Sequence, residues 1–257
     1  MSDLSGPGQR RRRPGAHAAP PRFRPSWWIL AVSLALVNVF LLVANVVKIR
    51  AKGHFTDRRW AGHLDGSYSE LLGHVTLLAA AVVLIIIWRE RHSTAHGVWA
   101  LVLGFLVADD FLLLHEHFGG LLARTVGLPS VIGLRPQDLG ELLAWAGPMA
   151  VLGSAVLITH VRARGFARRH SWTLLALMAA LAGFAVVVDM APFVLKPWLS
   201  TREYVALTLT ETAGELGVMT LFLIAAQHML QSRNDHGRRR PPTSIVQRGH
   251  RRPELIR

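Results

Sequence analysis

The chain contains no cysteine. Disulfides, thiolate metal sites, iron–sulfur clusters and a cysteine nucleophile are therefore excluded, and any metal must be held by His and carboxylates. Acids are also sparse: 16 Asp and Glu stand against 29 Lys and Arg, for a formal net charge of +13. The basic residues gather in tails and loops beside apolar runs, so anionic lipid headgroups rather than nucleic acid are the expected partner. The third absence decides most. The long apolar runs themselves hold no Lys or Arg.

Those runs dominate the chain of 257 residues, which is 51% hydrophobic with a mean hydropathy of +0.31. Six of them approach the ~20 residues a helix needs to cross the hydrocarbon, at residues 27–47, 70–88, 98–118, 139–160, 172–195 and 204–230. The first is longer than a signal-peptide core and lacks a small-residue cleavage site, so it reads as an uncleaved span. The expected fold class is all-α, a polytopic membrane protein built as a six-transmembrane-helix bundle. A basic N-terminal tail (1–26) and a basic C-terminal tail (231–257) flank the helical domain (27–230), and both have too little apolar surface to offset the entropy of ordering. Counting loop by loop, 20 Lys and Arg fall on the side of the termini and 9 on the other. The positive-inside rule then puts both termini in the cytoplasm. The basic first loop runs against this trend.

Within the spans lie Glu70, Asp109, Asp110, Glu116, Glu141, Asp189, Glu211 and Glu215. A charge at the bilayer centre costs roughly 2.5–3.5 kcal/mol on insertion scales and marks function by default. With no basic residue in the same spans, these acids must be neutralised by protons, by nearby histidines or by a bound cation. Position along a helix is also height in the membrane, at about 1.5 Å per residue. With the termini inside, all eight acids fall in the outer half or near the midplane, which a random scatter would not produce.

If residues 98–118 form one helix, Asp109, Asp110, Glu116 and His117 share an arc of roughly 120°, with His115 on the other shoulder. Glu70 and His74, and likewise Glu211 and Glu215, are at i,i+4, where two side chains can hold one ion. Carboxylates and imidazoles converging from several helices are the ligand set of zinc, manganese or iron sites in bundles. The expected divalent-metal ligands are Glu70, His74, Asp109, Asp110, His115, Glu116, Glu211 and Glu215. The ordinary alternative makes the His115-Glu116-His117 end a solvated interface and the deeper acids protonated hydrogen-bond partners between helices. Pro148 and Pro192 predict kinks, with Asp189 capping the second bend or serving as a ligand. Trp27, Trp28, Trp88, Trp99, Trp172 and Trp198 read as interface anchors. His160 and His228 sit far from the acids and are assigned no role.

The pattern Asp109-Asp110-x4-His115-Glu116, followed by Glu211-x3-Glu215-x-Gly217 in the last span, resembles a broad group of uncharacterised bacterial multipass membrane proteins. That resemblance implies the six-span layout, a bacterial inner-membrane location and this site, and favours His115 over His117. The site is also similar to that of ceramidase and adiponectin-receptor type intramembrane hydrolases, which use a His-x3-His pair where this chain has Glu211 and Glu215. A carboxylate-rich metal site is expected here instead. The leading expectation is a hydrolase or oxidase acting on a lipid, with Asp109 or Glu116 as the base that activates a metal-bound water. A cation- or proton-coupled transporter and a non-catalytic sensor or assembly factor are the alternatives.

Overall fold

The computed structural model of the chain describes residues 27–50, 54–62, 64, 66–131, 133–195 and 197–238. Of the expected tails, residues 1–26 and 239–257 lie outside that set. Helix α1 (Trp27–Arg50) leads through a 3-10 turn (Arg58–Trp60) to α2 (Tyr68–Arg91), α3 (Thr94–Phe111) and the short α4 (Leu114–Val126). Then come α5 (Pro136–Arg162), α6 (Gly165–Ala182), a π-helical stretch (Gly183–Val188), α7 (Asp189–Leu195) and α8 (Thr201–Arg238). Among the described residues, six helical units are long and apolar enough to span a membrane, with α6, the π stretch and most of α7 counting as one. The chain is an all-α, multi-pass membrane protein.

The six expected spans are all present, but the third is not one helix. After Phe111 the chain turns at Leu112 (φ −96°, ψ 0°) and Leu113 (φ 51°, ψ 38°) and restarts as α4. A non-glycine residue in the left-handed region costs roughly 1–2 kcal/mol, so something must hold Leu113 there. The carbonyls of Ala108 and Asp110 accept from the N–H groups of Leu112 and Leu113, and the Leu113 carbonyl accepts the N–H of His117. The Asp109 carboxylate meets His115 across the turn at 3.0 Å. No Gly, Pro or polar cap in the sequence marks this break. Its consequence is that the expected single face of Asp109, Asp110, Glu116 and His117 does not exist.

α4 instead folds against α5. The contact is made by two glycines: a Cβ on Gly119 would lie 2.6 Å from the backbone N of Glu141, and one on Gly140 would strike the carbonyl of Gly119. α5 continues through Pro148 as one helix. Pro192 behaves differently, since it lies inside α7 just after the π stretch. A proline ring collides with the carbonyl four residues earlier, and widening the preceding turns absorbs that clash.

α8 is the hub, touching α1, α2, α6, the π stretch and α7, while α2 also packs on α3. Phe184 of the π stretch lies flat on Gly214 of α8, and Met219 lies on Gly73 of α2, both contacts that a Cβ would forbid. Such close backbone approach is how helices associate in lipid, where no hydrophobic drive separates them from the acyl chains. Leu77, Leu84, Leu103, Leu174 and Phe222 form the sealed middle layer, each at most 2% exposed. Above it, Trp60 of the first loop packs its ring on Phe40, Phe55 and Tyr68. Arg58 and Arg59 remain exposed beside it.

The Trp anchors divide. Trp28, Trp88, Trp172 and Trp198 are exposed as expected, whereas Trp99 is 2% exposed in the core. Its indole N–H donates to Ser171 Oγ at 3.1 Å, which makes it a packing residue and not an interface anchor. The side chain of Trp27 lies outside the described set.

Candidate functional site

The polar end of the bundle is assembled by the first turns of α2 and α5, the last turns of α3, the start of α7, and Glu211 and Glu215 further along α8. Ser67 caps α2 by accepting the Glu70 N–H at 3.2 Å, and Glu70 Oε2 accepts the Gly66 N–H at 2.7 Å. This is a capping box displaced by one residue. It gives Glu70 a structural task that occupies one oxygen and orients the other. One turn on, buried His74 meets Asp110 of α3, Nε2 to Oδ2, at 2.5 Å. Glu70, His74 and Asp110 can each offer a ligand atom with all three within 4.8 Å of one another. The i,i+4 spacing puts Glu70 and His74 on one face of α2, and α3 brings Asp110 to that face.

The donor set suits a divalent cation of the zinc, manganese or iron type, one imidazole nitrogen with hard carboxylate oxygens. The 2.5 Å contact is a hydrogen-bond distance. Two ligands sharing a metal at about 2.0–2.2 Å would stand further apart. Asp110 would therefore swing to admit an ion, and its side chain, 44% exposed, has the freedom to do so, while His74 is fixed at 7%.

Glu215 of α8, partly buried, lies in the field of Glu211, Asp110, Asp189 and Glu70. The carboxyl groups of Asp189 and Glu211 are neighbours across α7 and α8. Glu211 and Asp189 also line a cavity of about 280 Å³ with Ile49, Pro192, Tyr204 and Thr208, between α1, α7 and α8. Asp189 thus joins the acids more closely than its reading as a bend cap implied.

Asp109 is 4% exposed and pairs with His115 Nδ1 at 3.0 Å. His115 in turn sits edge-on to Trp145 of α5, at 6.0 Å between ring centres. A buried carboxylate on Nδ1 fixes the tautomer and leaves Nε2 as the working atom of the ring. His115 and Asp109 form a dyad separate from the His74 group. Glu116 lies outside the close ligand group, and His117 is exposed with Nδ1 on the Leu113 carbonyl at 2.6 Å.

Among the described basic residues at this end, one is seen paired with an acid. Arg135, just before α5, holds buried Asp138 at 2.7 Å and lies in range of Glu141 and Asp189. The hydrogen bonds that the guanidinium donates to the Asp138 carboxylate keep it above the ordinary arginine range. Loop placement hides this contact in the sequence, although Arg135-Pro136-x-Asp138 is a readable helix start.

The opposite end holds a second constellation that sequence reasoning missed. His96 (2% exposed) joins Ser93 Oγ at 2.7 Å through Nδ1 and His170 Nδ1 at 3.0 Å through Nε2. His160, set aside above as remote, bonds Ser171 Oγ at 2.9 Å and stacks edge-on to Trp172. The legible signal was imidazoles beside hydroxyls at three helix ends, Ser93-x-x-His96, His170-Ser171 and His160. Their pairing across 74 residues was not legible.

Residues 18–230 match the family described as Domain of unknown function (DUF8692), and the chain belongs to that family. No curated protein and no solved structure matches it.

Proposed function

We propose that this protein is an intramembrane metalloprotein, with a divalent cation held by Glu70, His74 and Asp110 and balanced by Glu215, and that it acts as a hydrolase on a lipid or lipid-like molecule. The observation that carries the reading is the approach of those three ligand atoms to within 4.8 Å from two different helices. A bound cation supplies a water acidic enough to attack at neutral pH. The chain's own part is to hold the ligands and to place a base. His115, oriented by Asp109, takes that role better than Asp109 or Glu116, because its Nδ1 is already committed and Nε2 is left for proton transfer. The Asp189/Glu211 cavity has Ile49, Pro192 and Tyr204 in its walls, apolar surface that suits a lipid substrate.

The basic bias of the termini supports a cytoplasmic position for both and an outer-leaflet position for this end, in a bacterial inner membrane. A cation- or proton-coupled transporter would need a polar path to the other end. Between His96 and Asp109 on α3 lie about 20 Å of helix, and the sealed layer of Leu77, Leu84, Leu103 and Phe222 supports a site confined to one end.

Elemental analysis of the purified full chain tests the reading. One divalent ion per chain is expected, falling at least about tenfold in His74→Gln, since a metal ligand is lost. Protein that carries no metal, or carries it equally in the variant, would remove the proposal.

A further inference from the structure

The cavity of about 280 Å³ between α1, α7 and α8 sets two carboxyl groups, Asp189 and Glu211, among the apolar surfaces of Ile49, Pro192 and Val205. Thr208 lines it as well and donates its hydroxyl hydrogen to the Tyr204 carbonyl at 3.2 Å, so toward anything else its oxygen is an acceptor. Among the described residues no Lys or Arg lines this cavity. Arg135, whose charge reaches Asp189, is held by Asp138 through hydrogen bonds at 2.7 and 3.0 Å. The cavity therefore offers acceptors and negative charge inside apolar walls.

One turn deeper, about 5.4 Å along both helices, Asn45 and Thr212 close the seam between α1 and α8, four residues from Ile49 and Thr208 respectively. A Cβ on Gly62 would lie 2.7 Å from Asn45 Nδ2 and 2.8 Å from the Thr212 methyl group, so the two side chains meet where the first loop packs on them. Thr212 donates its hydroxyl to the Thr208 carbonyl at 3.1 Å. Asn45 is 0% exposed, and neither its amide oxygen nor its amide nitrogen has a hydrogen-bond partner. Both atoms being unpartnered, this holds whichever way round the amide is set. A buried amide left so is expensive, and in a native structure it calls for an explanation.

Two carboxylates without an imidazole are a poor set for a transition metal, and apolar walls would strip the waters that a hard cation keeps. An alkylammonium answers both features. Its three N–H groups suit two carboxylates and an amide oxygen, and its stem suits Ile49, Pro192 and Val205. We propose that this cavity binds the primary ammonium head of an amine-bearing lipid, with Asp189 and Glu211 as its counter-charges and Asn45 accepting from the deep end. The inference rests on the proposed function only in making that lipid the substrate; the binding itself uses none of the metal ligands.

Thermal unfolding of the full chain in a neutral detergent at neutral pH is followed during titration with hexylamine, ethylamine and hexanol. Hexylamine raises the unfolding midpoint saturably, and hexanol, as apolar but uncharged, does not. Glu211→Gln and Asp189→Asn each weaken hexylamine binding at least about tenfold, the worth of a hydrogen bond to a charged group. Both variants fold, because a neutral amide is easier to bury than a carboxylate. Asn45→Leu, which removes the amide at similar volume, weakens binding about threefold or more. Glu203→Gln removes an exposed acid earlier on α8 and changes binding by no more than about twofold. Ethylamine, which lacks most of the apolar stem, binds at least about tenfold more weakly than hexylamine. His74→Gln keeps hexylamine binding, so a protein that holds no metal and still binds the amine loses the hydrolytic role and retains the ammonium site. Equal stabilisation by hexanol, or equal losses in Glu203→Gln and Glu211→Gln, would overturn the proposal. So would amine binding that disappears in His74→Gln, by making the amine a ligand of the metal, and ethylamine binding as tightly as hexylamine would overturn the lipid in favour of a small soluble amine.

Discussion

The two ends of the bundle solve the same problem in opposite ways. Each buries polar groups among spanning helices, where an unpaired one is expensive. At the end of Ser93 and Ser171 every buried group has a neutral partner: Trp99 and His160 meet Ser171, and His96 meets Ser93 and His170. At the other end acids outnumber partners. His74 and His115 each answer one carboxylate, Arg135 answers Asp138, and Glu211 with Asp189 and Glu215 are left to share protons or a cation. A set of hydrogen bonds that closes on itself is a means of joining helices. One left with surplus negative charge is built around something else.

The contrast can be broken from the closed end first. Trp99→Ala empties a sealed position and removes the Ser171 contact, and should cost about 3–5 kcal/mol. Chemical denaturation in detergent measures it, and metal content of the surviving folded protein should not change. Loss of metal along with stability would mean the two ends are coupled through the apolar layer. Ser171→Ala is milder. It strands the Trp99 indole and His160 Nδ1 together, at about 1–3 kcal/mol, and a double-mutant cycle with His160→Phe should recover part of the loss. Additive costs would show that Ser171 does not bridge them.

The smallest effect sharpens the open end. Leu113→Gly removes the side-chain penalty of the left-handed turn and should gain up to about 1 kcal/mol in stability. It leaves the Asp109–His115 contact in place. A loss of stability would show that Leu113 is held by its own packing and not by the hydrogen bonds across the turn.

How far the sequence carried follows from these same residues. The six spans and the gathering of acids at one end were legible because apolar length and the absence of Lys and Arg act locally. The i,i+4 pair Glu70/His74 was legible for the same reason. The Leu112–Leu113 turn was not, since it is written in a run of leucines and held by contacts that exist only after it forms. Face reasoning on an unbroken third helix therefore placed Glu116 and His117 with the aspartates; it also let His115 reach Asp109 from the other shoulder, and the contact forms, but across a fold-back. The π stretch before Pro192 and the His96–His170 pair were hidden similarly, one in the response of a helix to proline and the other in sequence distance.

Whether the open end is built around a metal is decided most directly by thermal unfolding of the full-length wild type against a chelator titration, with His74→Gln beside it. An ion bound only by the folded state at a thousand times its dissociation constant contributes about 4 kcal/mol. The wild type should lose several degrees as chelator strips the ion and regain them on adding zinc or manganese, while His74→Gln unfolds at one temperature throughout. Wild-type protein that holds no ion and ignores both chelator and added metal would contradict the metal site, and would leave the carboxylates neutralised by protons alone.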